Sequence, residues 1–339
     1  MNNNFSKLLT DFLSVHLPLT KGLSNNSLLS YCDTFKLFLI FLRDVERKNI
    51  ERLKVSDFTD IMVKEFLLWL EIDRNCSIST RNQRLVALRT FAKYSQVESP
   101  QNMAICQKII FIEAKKAAKP QISYLCVDDV KTLLSTPDVS DIYGRRDLVL
   151  LSVMYDTGAR VSEIVDLKVK NVNLTAEASI LLTGKGNKPR LVPILPQTVA
   201  LIKNYLQEQG LTTIDKGDYP LFRNRKQEKF TRAGITYILK KYIDISRLSS
   251  LTMPQKVTPH VLRHTKAMHL ADANTNPIYI RDILGHEDVG TIGFYIKSSM
   301  NSKREALEKV VVATPHEAPA WATNTSMIDW LKNYGKKIM

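Results

Sequence analysis

Between positions 260 and 295 the chain carries His260, Arg263, His264, His286 and Tyr295. Four of its six histidines, at 260, 264, 269 and 286, fall in this stretch. Cations at 260 and 263, with a third available at 264, make a cradle for phosphate oxygens that gain charge in a transition state. A tyrosine close behind is a candidate oxygen nucleophile. Upstream, Arg160 stands where a turn leads into a helix, and Lys185 sits between Gly184 and Gly186. These residue types together point to phosphoryl transfer on a nucleic-acid backbone without a metal.

Each residue alone also has a plain structural reading. Arg160 could simply pair with Glu163. Lys185 could be an ordinary turn lysine. His260 and His264 lie at i, i+4, the spacing of a metal pair, but no glutamate follows His260 and Arg263 would repel a cation between them. Tyr295 competes with Tyr279 as the reactive tyrosine, and its spacing from His286 favours Tyr295. The coincidence of all of them in order carries the functional reading.

Tyr155-Asp-Thr-Gly158-Ala-Arg160-Val-Ser-Glu163-Ile resembles the first arginine box of the tyrosine recombinase (phage integrase) family. His260-Val-Leu-Arg263-His264 resembles the second box, and Leu284-Gly285-His286 followed by Tyr295 resembles the third. Lys185 fits the family's β-hairpin lysine. The resemblance is strong over about 125–300 and looser over 5–95. It implies that Tyr295 attacks a scissile phosphate, leaving a 3′-phosphotyrosine and a free 5′-hydroxyl. Arg160, Arg263, His260 and His286 would hold the phosphate, and Lys185 would protonate the departing 5′-oxygen. His264 would assist near the tyrosine and Glu163 would steady the site. No cofactor and no metal are implied. Asn274 departs from the family pattern, standing where a glycine is often found.

These residues need elements to position them. Residues 5–95 read as helices only. Leu28, Tyr31, Phe35, Phe38, Leu39 and Leu42 fall at helical spacing over 27–42, with Ser27 as N-cap. Further helices are predicted over 62–72 and 79–95. Residues 96–122, with Pro100 and the basic run to Pro120, read as a basic interdomain linker. From 123 the pattern becomes mixed. Helices are expected over 127–135, 145–155, 196–208, 232–242, 259–272, 276–284 and 302–311. Strands over 178–183 and 190–194 should form a hairpin around Gly184 and Gly186. The expected fold is mainly α with a small antiparallel β-sheet. It comprises a helical N-terminal core-binding domain (1–95) and a mixed α+β catalytic domain (123–312). A tail over 313–339 would carry a short helix, docked on its own domain or exchanged between subunits.

Composition bounds the partners. The chain of 339 residues has a formal net charge of +14, which points to a polyanion. Arg81, Arg84, Lys188, Arg190, Thr231 and Arg232 are the expected DNA contacts, chosen for charge beside elements expected to face DNA. The four cysteines, Cys32, Cys76, Cys106 and Cys126, form no C-x-x-C pair, which argues against a zinc ribbon and a disulfide scaffold and is compatible with a reducing compartment. No apolar run is long enough to span a bilayer and no signal peptide is visible, so a cytoplasmic protein is expected, with no membrane partner. The expected activity is site-specific DNA recombination: chromosome-dimer resolution, integration and excision, or transposition. The expected partners are a double-stranded DNA recombination site, further copies of the chain forming a tetramer on two duplexes, and an optional accessory protein. A type IB-like topoisomerase and a DNA-binding protein that has lost catalysis remain open alternatives.

Overall fold

A computed structural model of the chain describes residues 4–117 and 123–285. The chain divides between Pro120 and Gln121 into two units, each with its own core.

The first unit is helical: α1 (Phe5–Asp11), a π-helical turn (Phe12–Thr20), α2 (Asn25–Asp44), α3 (Asp60–Ile72), α4 (Ile78–Glu98) and α5 (Met103–Ile110). The π-helical stretch contains Pro18, whose missing N–H is tolerated where the helix widens. Phe91 of α4 is fully buried at the centre of the core. Its ring lies 5.4 Å from Phe5, 5.2 Å from Phe12, 5.1 Å from Phe35 and 5.4 Å from Phe58, in edge-on geometry throughout.

Two local expectations change here. Helix α2 starts earlier than Ser27, with Ser24 as its N-cap, and the Ser24 and Ser27 hydroxyls lie 3.1 Å apart. The linker expected from residue 96 instead begins as structure. Helix α4 runs on to Glu98, Pro100 opens a tight turn, and α5 returns to pack on α4. Cys106, Ile109 and Ile112 are buried in the first core, and an apolar segment of this kind is worth more buried than as a solvated connector. Even Lys115 is tied back, through Asn82 and an ion pair to Glu71 at 2.7 Å.

The second unit is built around α7 (Ile142–Thr157), which follows α6 (Val127–Ser135). Residues 149–154 of α7 are buried in succession, so this helix has no solvent face there. Next come α8 (Val161–Asp166), a three-stranded antiparallel sheet, α9 (Pro196–Glu208), α10 (Arg232–Ser246), α11 (Pro259–Asp272) and α12 (Pro277–Leu284). The sheet has the order β1 (Val172–Asn173), β2 (Ser179–Thr183), β3 (Pro189–Pro193), with Ile180 opposite Val192. Alternation along β2 buries Ile180 and Leu182 and exposes Leu181. The hairpin was expected, but the two-residue strand β1 was not; so short a strand carries no period. The satellite cluster of Ala267, Met268 and Ala271 with Ile280 and Leu284 seats α12 against α11. Asn274, after α11, has φ +54°, a left-handed conformation that asparagine tolerates better than most side chains, so the departure from glycine is accommodated. Among the described residues no helix is long and apolar enough to cross a membrane. The expected helix over 302–311 and the tail 313–339 lie outside the described residues.

Candidate active site

The site begins where α7 ends. Gly158 takes φ +56°, and a Cβ there would lie 2.6 Å from the Leu284 side chain. This left-handed glycine turns the chain so that Arg160 becomes the N-cap of α8. Glu163, at the third position of α8, folds back and accepts the Arg160 backbone N–H at 2.8 Å and its guanidinium at 2.9 Å.

Glu163 is almost fully buried and holds a second arginine. Arg190 of β3 donates to both carboxylate oxygens, at 2.8 and 2.7 Å, in a fork-to-fork pair. Burial alone would push this carboxyl up. The hydrogen bonds and charge of Arg190, joined by the Arg160 backbone and guanidinium, outweigh burial and hold it below its ordinary value. Glu163 is therefore ionised at neutral pH.

Helix α11 supplies the next group. Thr258 caps it by accepting the Val261 N–H, and Pro259 stands at its first position. Arg263 is 3% exposed and donates to the Gly158 carbonyl at 2.8 Å and to the Leu284 carbonyl. His260 and His264, one turn apart, lie with ring centroids 6.1 Å apart and planes at 24°. Both are held below the usual histidine range. For His260 the causes are packing, then the charges of Arg263 and Arg160. For His264 they are burial, then His260 and Arg263. His260 nevertheless lies at the surface, where an arriving anion can meet it.

The three arginines converge on one helix end. The last carbonyls of a helix lack intrahelical partners. Here Arg190 donates to the Ile283 carbonyl at 2.8 Å, Arg263 to that of Leu284, and Arg160 to that of Gly285 at 3.1 Å. Among the described residues, three guanidinium groups meet the single carboxylate of Glu163 here, which leaves this part of the site positive, and each arginine is held by bonds within the chain. The hairpin joins the site at its base. A Cβ on Gly184 would lie 3.3 Å from Glu163 and 3.6 Å from the Arg160 guanidinium. Lys185 opens the tight turn Lys185–Asn187 that follows.

Arg160, Glu163 and Arg263 therefore come together, with His260 and His264 alongside and the Lys185 turn adjoining. His286 and Tyr295 lie outside the described residues. Tyr279, the competing tyrosine, is largely exposed on α12.

The expected DNA contacts fare differently. Arg81 is buried, paired with Glu71 at 3.1 Å and bonded to Asn82, which places its charge between helices rather than on a phosphate-facing surface. Arg84 is mostly covered and paired with Asp33 at 2.8 Å. In both cases a neighbouring helix supplies the acid. Arg190 is a site residue, as described. Its alternation with Val192, a core side chain, was a readable sign that it points inward. Lys188, Thr231 and Arg232 are exposed, and Thr231 caps α10 by accepting the Gly234 N–H at 3.0 Å.

His269, the remaining histidine of the cluster, has a structural place. Its Nδ1 lies 2.8 Å from the Tyr155 hydroxyl and its Nε2 lies 2.9 Å from the Leu125 carbonyl. Burial lowers its pKa, opposed by the bond to Leu125. The Leu125 N–H donates to Thr265 of the same helix at 3.1 Å. Among the described residues no three metal-ligating side chains cluster.

Comparison with known proteins gives a consistent picture. Residues 123–302 match the model of the phage integrase family, and residues 9–99 match that of the phage integrase N-terminal SAM-like domain. The chain is 33% identical to y4rC of Sinorhizobium fredii, named for an integrase/recombinase, over 90% of this chain and 91% of the relative. It is 30% identical to the tyrosine recombinase XerC of Syntrophus aciditrophicus, over 84% of this chain and 91% of the relative. In fold it is similar to the Tn1549 transposon integrase, solved with a circular-intermediate DNA. That match has a TM-score of 0.69 and 16% identity, and covers 91% of this chain and all of the solved one.

Proposed function

Because the chain belongs to the phage integrase family, we propose that it is a site-specific DNA recombinase that cuts and rejoins DNA through a 3′-phosphotyrosine intermediate. The observation that carries this reading is the convergence of Arg160 and Arg263, with His260 alongside, on the end of α12. A phosphodiester under attack builds charge on its non-bridging oxygens, and fixed guanidinium donors stabilise that charge without reorganising.

In this reading the Tyr295 oxygen attacks the scissile phosphorus and the bond to the 5′-oxygen breaks. Lys185 gives a proton to the departing oxygen, and His264 assists removal of the tyrosine proton. Arg160, Arg263, His260 and His286 hold the phosphate, while Glu163 steadies the arginines. A 5′-hydroxyl then attacks the phosphotyrosine and reverses the step on a new strand. The phosphotyrosine conserves the phosphodiester bond energy, so rejoining needs no nucleotide cofactor. The first unit is the core-binding domain and the second the catalytic domain. The partner is a double-stranded recombination site, engaged by four copies of the chain on two duplexes in the cytoplasm. The tail 313–339 is a candidate for exchange between copies.

The test is a suicide-substrate assay. Wild type and Tyr295→Phe are mixed with nicked duplexes in EDTA, and covalent adducts are read on a denaturing gel. An adduct with wild type alone is the expected result. An adduct that survives Tyr295→Phe would move the nucleophile to another residue. Tight binding with no adduct from wild type would leave a DNA-binding protein without the chemistry.

A further inference from the structure

We propose that Arg190 is a positioning residue of the strand-transfer site, holding Glu163 and the last turn of α12 in register so that Arg160 is presented to the phosphate. The inference rests on the recombinase reading above and concerns how that same site is kept in shape. Charge alone made Arg190 a candidate DNA contact, and its geometry argues otherwise. Its side chain is about one-tenth exposed. Its guanidinium is spent on three acceptors of the chain itself: both oxygens of Glu163 and the carbonyl of Ile283.

Each of those bonds has a consequence for Arg160. Glu163 also binds the Arg160 backbone and guanidinium, so Arg190 and Arg160 share one carboxylate. Were Arg190 removed, a nearly buried carboxylate would keep a single cationic partner. Arg160 would then be drawn more tightly onto Glu163 and away from an incoming phosphate. The Ile283 bond works at the other end. Arg160 donates to Gly285, two residues further along the same turn. Gly285 itself packs on the Arg190 side chain, since a Cβ there would lie 3.0–3.2 Å from three of its atoms. Strand β3, helix α8 and the end of α12 thus meet on one side chain. A lysine can supply the charge but not the planar fork that takes two oxygens at once.

A DNA contact and a positioning residue fail in different ways when removed. Arg190→Lys and Arg190→Gln are prepared, and their folding is checked by thermal melts. Equilibrium binding to the nicked duplex is measured beside single-turnover adduct formation at saturating DNA. Affinity is expected to stay within about 3-fold of wild type with an unchanged salt dependence. Adduct formation should fall about 100-fold in Arg190→Gln, the scale of a lost charge-stabilising group, and less in Arg190→Lys. In Arg190→Gln the rate should also gain an acid limb as Glu163, stripped of its main cation, begins to titrate near the working pH. Pairing it with Glu163→Gln should remove that limb. Loss of affinity with wild-type adduct rate at saturation would return Arg190 to the DNA surface and overturn the proposal. A rate loss in both variants that only tracks loss of helical structure would overturn it as well. If wild type forms no adduct on the same duplex, the recombinase reading fails rather than the assignment of Arg190.

Discussion

At the residue scale, Glu163 is the hinge of the site's electrostatics. Among the described residues it is the carboxylate that the arginines share, and it is ionised because hydrogen bonds and charge outweigh its burial. Glu163→Ala should destabilise the second unit by about 3 kcal/mol, since two partly buried cations lose their counter-charge. Urea titration against wild type checks this. Its pH signature follows from the direction of the shift. A carboxyl held below its ordinary value contributes stability that is fully present above the unfolded pKa and is lost as pH falls through the folded one. Stability of wild type should therefore fall on the acid side of the ordinary carboxylate range, and Glu163→Gln should show a shallower acid slope. The histidines act in the same sense at higher pH. His260 and His264 are depressed, so the folded state prefers them neutral, and protonation below the ordinary histidine pKa of about 6.5 favours unfolding.

At the scale of elements, the decisive joint is the turn from α7 into α8 against the end of α12. Gly158→Ala should lower stability by more than about 1 kcal/mol from the left-handed backbone alone, with the Leu284 contact adding to it. Thermal melts measure that loss, and adduct formation should fall with it because Arg263 donates to the Gly158 carbonyl. Much of this joint was legible in the chain. The strands flanking two glycines carry a local signal, and the helices expected over 145–155 and 259–272 lie within the observed α7 and α11. The arginine boxes named Arg160 and Arg263 directly. Charge makes Arg81 and Arg190 candidate DNA contacts, but a charged side chain is placed by the acids that neighbouring elements bring to it, and those are set by tertiary packing. Glu71 meets Arg81 from ten positions away, and Glu163 meets Arg190 from twenty-seven. Residues 96–122 read as a linker by their proline and basic run, while the burial of Cys106, Ile109 and Ile112 depends on α4 being there to receive α5.

At the scale of the whole molecule, two cores imply two stabilities. Phe91→Ala should cost the first unit about 3–5 kcal/mol, given four ring contacts at a fully buried position. Calorimetry should show one transition moving down while that of the second unit stays in place. A net charge of +14 should make DNA affinity fall steeply with salt, in a linear plot of log K against log salt. The slope counts phosphates neutralised, and Arg81→Ala should leave it unchanged.

Leu125 lies just inside the boundary of the second unit, with its N–H and carbonyl both fastened to α11, through Thr265 and His269. About two and a half turns of that helix at most separate these anchors from His260 and Arg263, so all four side chains ride on one helix. A displacement of Leu125 would therefore be felt first by the helix that carries His260 and Arg263.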